Sequence, residues 1–183
     1  CSVVHGGCVM TRSAGASTDL AAVPWMGSTL APVPETLGSA LGDPDGGWST
    51  AARLPDRDLR VMVEVPESSR RGIAIWVHGY MASIDSTRAA RDRLKASGWI
   101  VLSIDLQGHG GSSGDRYDIE DFSEYGDAVR SLARLAREAW GGSIVVVAHS
   151  LGAAAAIEGL SGSADLVDAM VLVAPLLRLR HQG

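Results

Sequence analysis

Four nearly unbroken apolar runs, separated by stretches with helical spacing, constrain this chain more than any other feature. They are "GIAIWVHGY" (72–80), "WIVLSIDL" (99–106), "SIVVVA" (143–148) and "AMVLVAP" (169–175). A strand that stays apolar at every position, rather than at alternate ones, has both faces covered. Between them lie "STRAARDRLKASG" (86–98), with Asp85 or Ser86 to cap it and Gly98 to stop it, and a long amphipathic segment. The latter sets Ile119, Phe122, Tyr125, Val129, Leu132, Leu135 and Trp140 along one helical face and ends at Gly141. A further helix is expected over 151–162, and "LRVMVEV" (59–65) alternates like a strand before Pro66. Strands alternating with helices predict an α/β fold: a mostly parallel open sheet with helices on both faces and right-handed crossovers. Sheets of this kind bind ligands at the carboxyl ends of their strands.

The 183 residues suffice for one core, and with aromatics at 5%, Ala, Val and Leu must fill it. A net charge of −5 without a basic stripe argues against nucleic acid as a partner. No apolar run reaches the roughly 18 residues needed to cross a bilayer. Residues 1–52 are rich in Gly, Ala, Ser, Thr and Pro and show no sustained period. They read as an irregular arm or tether before a core at 53–183, with Trp25 and Trp48 available to pin the arm down. Cys1 followed by Ser2 resembles the start of a mature bacterial lipoprotein, which would place the protein at the cell envelope, lipid-anchored to a membrane surface. The alternative is an arbitrary chain boundary on a cytoplasmic protein. Cys1 and Cys8 could pair in an oxidising compartment, and neither has a ligand set pointing to a metal.

Three loops fall at the carboxyl ends of the expected strands. In "AHSLG" an apolar strand runs into Ser150 and a helix leaves it. A serine on so sharp a turn needs small residues two before and two after, supplied by Ala148 and Gly152. The helix that follows points its first N–H groups at the reacting carbon, so the Leu151 amide is expected to donate to an oxyanion. In "VHGYMAS" the Tyr80 amide, after Gly79, is the second expected donor, and His78 is expected to orient the loop through a hydrogen bond. In "DLQGHGGSSGDR" (105–116) Gly108, Gly110 and Gly114 invite a dinucleotide reading. The run does not open into a helix, and no acidic residue ends a following strand, so Asp105 and His109 read better as loop-shaping residues.

Taken together, "HGY", "D-x-x-GHG-x-S-x-G-x-R" and "HSLG" resemble the α/β-hydrolase superfamily. They are most similar to its lysophospholipase and monoacylglycerol lipase branch, grouped with serine aminopeptidases. Asp105, Gly108, His109, Gly110, Ser112, Gly114 and Arg116 match the middle signature as they stand, and the resemblance covers about residues 54 to 180. It implies hydrolysis of a carboxylic ester, a small molecule or lipid, through an acyl-enzyme on Ser150, with no cofactor and no metal. It also implies that the triad acid and histidine follow strands beyond Pro175, so both are expected outside this chain. His149 should face away from Ser150, His5 lies in the arm and His181 just past the last strand. His78 is the best-placed alternative base. An uncovered 169–175 strand would be an apolar edge, to be covered by more of the polypeptide, a second chain or self-association. Two other functions fit the same residues: a catalytically inactive hydrolase fold that binds or scaffolds, and a serine peptidase.

Overall fold

The computed structural model describes residues 58–66, 71–140, 142–163 and 165–177 in full, and 2–4, 7–11 and 49–53 through their backbone. The described elements are β1 (Ser2–Val4), β2 (Gly7–Thr11), β3 (Ser49–Arg53), β4 (Arg60–Glu64), β5 (Gly72–Val77), α1 (Arg88–Ala96), β6 (Trp99–Ile104), α2 (Ser123–Trp140), β7 (Ile144–His149), α3 (Leu151–Leu160) and β8 (Ala169–Val173). They form one sheet in the order β1-β2-β8-β7-β5-β6-β4-β3. The four apolar runs make its parallel centre, β6-β5-β7-β8. Antiparallel strands flank them, β4 and β3 on one side, β2 and β1 on the other. Every residue of β5 is buried, which is why its sequence shows no alternation.

Chain order fixes the layers. The β5–α1–β6 crossover moves one way across the sheet, and β6–α2–β7 moves back over β5. Right-handed connections therefore put α1 on one face and α2 on the other, with α3 beside α2. Helices α2 and α3 touch through glycine: a methyl on Gly159 would strike the Gly126 backbone, and one on Gly126 would meet Gly159 N at 2.9 Å. The strand order reverses direction at β5, so the crevice expected of such a sheet opens where β5 and β7 end.

Several expectations need correction. Neither Asp85 nor Ser86 caps α1. Asp85–Thr87 is a 3-10 turn, and the capping residue, Thr87, makes no side-chain cap bond. Gly98 does stop the helix, with φ +85°. Helix α2 begins at Ser123, leaving Ile119 and Phe122 ahead of it, because the Asp121 carboxylate accepts the Ser123 N–H at 2.8 Å and starts the helix there. Within 1–52 the described residues are β1, β2 and most of β3, strands of three to five residues. One of them answers the question of the edge. β2 pairs antiparallel with β8, from Gly7 against Val173 to Thr11 against Ala169, so the chain itself covers the strand expected to be exposed. Cys1, His5, Trp25, Trp48 and His181, and the side chain of Cys8, lie outside the described residues. No helix among the described residues is long and apolar enough to cross a membrane.

Candidate active site

Ser150 stands where β7 gives way to α3, with φ +50° and ψ −112°. This is a conformation an L-residue holds only when its surroundings enforce it, at a cost on the order of 1–3 kcal/mol. The residues around it show the enforcement. A methyl on Gly152 would lie 2.8 Å from Val77 O and would strike His78 O, so the first turn of α3 rests on the end of β5 only because that residue has no side chain. Ala148, two residues before the serine, is buried and paired with Val77. Ser150 itself is half-buried. The loop after β5 comes up beside it: a methyl on Gly79 would lie 3.3 Å from Ser150 Cβ and 2.7 Å from the His149 ring. Among the described residues neither the Tyr80 nor the Leu151 amide donates a hydrogen bond.

His78 is buried and uses both ring nitrogens. Nε2 accepts the Leu106 N–H at 3.0 Å, which makes Nδ1 the protonated nitrogen, and Nδ1 donates to Gly79 O at 2.8 Å. The Ala82 N–H reaches the same carbonyl at 3.2 Å. In a planar trans peptide the N–H points opposite its C=O, so these bonds aim the Tyr80 amide away from the imidazole. Burial pushes the His78 pKa down, with the neighbouring His109 adding to the effect, while the bond to Gly79 and the charge of Asp105 oppose it. The neutral ring therefore makes no ion pair with Asp105 at 3.8 Å. With its folded pKa below the unfolded value, His78 keeps its full stabilising effect above about pH 6.5. The effect falls away as pH drops toward the folded pKa, because the unfolded chain takes up the proton first. Stability measured by denaturant should therefore decline less steeply below that pH in His78→Gln than in the wild type.

Asp105 is fully buried and ties three segments together. Oδ1 accepts the Ile84 N–H at 2.6 Å; Oδ2 accepts the Gly111 N–H at 2.9 Å and the Arg60 guanidinium at 3.3 Å. Gly110 and Gly111 of the glycine run lie against this carboxylate. Gly108, Gly110 and Gly114 have φ of +70°, +51° and +100°, and a methyl on Gly110 would collide with the Asp105 carboxylate. Of the three, Gly110 makes room for that carboxylate, while Gly108 lies against Asp115 O and Gly114 against the Gln107 side chain. His109 is buried in the same loop, with Nδ1 2.9 Å from Gln107 O and its ring among those of His78, Tyr80, Tyr117 and Tyr125. His149 is exposed, with its ring over Gly79. Among the described residues no imidazole bonds to Ser150, and no group of acidic, His or Cys side chains could hold a metal. Sequence reasoning missed Arg60, which bridges Asp85 and Asp105, and the buried pair of Glu64 with Arg91. A glutamate inside the otherwise apolar "VMVEV" was a signal for the latter.

The profile of the family described as serine aminopeptidase, S33, matches residues 68–183. A monoacylglycerol lipase of Mycolicibacterium smegmatis is 31% identical over 80 residues, which are 43% of this chain and 29% of that protein. A solved monoacylglycerol lipase from Paleococcus ferrophilus superposes with a TM-score of 0.56 at 23% identity, covering 68% of this chain and 46% of that one. A carboxyl esterase from Bacillus coagulans gives 0.56 at 17% identity, covering 68% and 43%. The matched region thus spans under a third of the curated relative and under half of the two solved chains. With the parallel centre, the bend at Ser150 and the family match over most of its length, this chain belongs to the serine aminopeptidase S33 family of α/β-hydrolases.

Proposed function

We propose that the protein hydrolyses carboxylic esters through an acyl-enzyme on Ser150. The observation that carries this reading is the left-handed Ser150 between β7 and α3, with the Gly79 backbone packed against it. Ser150 Oγ attacks the ester carbonyl carbon, and the carbonyl oxygen, now an anion, accepts the Tyr80 and Leu151 N–H groups. The C–O bond to the alcohol breaks, the alcohol leaves with the proton that Oγ gave up, and water then releases the acid. His78, Gly79, Asp105, His109 and Gly152 hold these groups in place without touching the substrate. The proton needs a base. His78 is not available for it, since both its nitrogens are engaged, and the resemblance assigns the task to a histidine and acid that follow β8 in the fold.

The relatives named as a monoacylglycerol lipase and a carboxyl esterase support an ester or lipid substrate. The family's description supports a second reading, cleavage of an aminoacyl amide. A fluorophosphonate probe followed by peptide mapping tests the nucleophile, with an adduct on Ser150 expected. An adduct at another residue refutes the assignment, and the absence of any adduct favours a binding or scaffold role. Hydrolysis of a nitrophenyl ester without hydrolysis of aminoacyl nitroanilides separates esterase from peptidase.

A further inference from the structure

We propose that the turn after β8, from Ala174 to Leu176, positions Ser150 and its oxyanion donor. This rests on the reading of Ser150 as nucleophile. The Ser150 N–H donates to Val173 O at 2.9 Å, and the Leu176 N–H donates to Ser150 O at 3.2 Å. The end of β8 and the turn after it therefore grip the peptide group on each side of the serine α-carbon. The turn's hold on the second matters more. Ser150 C=O and Leu151 N–H belong to one planar trans peptide, so fixing the carbonyl fixes the amide on the opposite side. Leu176 does for the Leu151 donor what His78 does for the Tyr80 donor, since each binds the carbonyl of the donor's own peptide. The Ala153 and Ala154 amides also reach Ser150 O, at 3.1 and 3.2 Å, from within α3. Leu176 is the one that brings in a separate segment of chain.

The backbone of the turn bears the mark of this task. Ala174 has φ +44°, a left-handed conformation without the excuse of being glycine. It also precedes Pro175, whose ring disfavours helical conformations in the residue before it. An unconstrained alanine would relax to an extended conformation, and Leu176 would then swing off Ser150. The bonds at Ser150 are what the strained turn secures.

Two variants and one measurement on the wild type test this. Leu176→Pro deletes the amide donor, and Leu176→Ala keeps it. Leu176→Pro should slow probe labelling of Ser150 by roughly tenfold or more, the scale expected when a reacting group loses its orientation. Leu176→Ala should label at close to the wild-type rate. In hydrogen exchange, the Ser150 amide should lose protection in Leu176→Pro while the amides of β5 and β6 keep theirs. In the wild type, the Leu176 amide should be protected to the same degree as the Ser150 amide. Wild-type labelling in Leu176→Pro overturns the proposal. So does equal slowing in Leu176→Ala, or a wild-type Leu176 amide that exchanges like an unstructured peptide. The last result decides the matter even if Leu176→Pro does not fold. If no form of the protein labels, the reading of Ser150 fails, and the exchange pattern alone still decides for or against the grip on its backbone.

Discussion

Replacing His78 with phenylalanine should slow acylation of Ser150 by about 10²–10³-fold, the loss associated with one oxyanion donor. Phenylalanine keeps the ring and much of the packing and removes only the two hydrogen bonds. Without the bond from Nδ1, Gly79 O keeps only the longer one from Ala82, and the Gly79–Tyr80 peptide is free to turn. The Tyr80 N–H then spends part of its time aimed elsewhere. The rate constant for probe labelling measures this directly. Binding of a substrate that does not develop the oxyanion should change much less, so the loss should appear in kcat rather than in KM. The same substitution leaves the Leu106 N–H without its acceptor in a buried place. That costs on the order of 1–3 kcal/mol of folding stability, readable by urea denaturation. A labelling rate unchanged from the wild type would remove His78 from the account of the site.

The second large effect concerns Glu64 and Arg91, both buried, which pair between β4 and α1. Arg91 also donates to Ile84 O at 3.0 Å, in the loop whose Ile84 N–H is held by Asp105. Glu64→Leu strands the guanidinium charge away from water and should destabilise the fold by about 3–5 kcal/mol. Converting both residues, Glu64→Leu with Arg91→Met, should recover most of that loss, because no charge is then left buried. Urea denaturation of the two single variants and the double variant gives the coupling between them. Equal destabilisation in the double and single variants would mean that the pair is not the source of the effect.

What the sequence revealed was local. The continuous apolar strands are legible because burial on both faces erases alternation, and Gly98 because a helix end needs a left-handed residue. Gly152 is legible because the turn at Ser150 leaves no room for a methyl. The glycines at 108, 110 and 114 were visible as well, but not what each makes room for: the Asp115 carbonyl, the Asp105 carboxylate and the Gln107 side chain respectively. What stayed hidden was pairing between distant segments. Nothing in "GCVMT" says that it lies beside "AMVLV", nothing in Arg60 says that it reaches Asp105, and nothing near Leu176 says that its amide meets Ser150. Such contacts depend on where other strands have already gone. The cap of α1 was misjudged for a smaller reason, since Asp85, Ser86 and Thr87 in a row offer several short turns, and a 3-10 turn took them.

The placement of β2 beside β8 has a consequence for how this protein is made. Translation delivers β2 well before β8, with β3 to β7 made in between. During that interval β2 has only β1 to pair with, and closing this side of the sheet means joining segments separated by all the strands from β3 to β7. A topology of this kind folds slowly and leaves nascent chains open to chaperones and to misassembly.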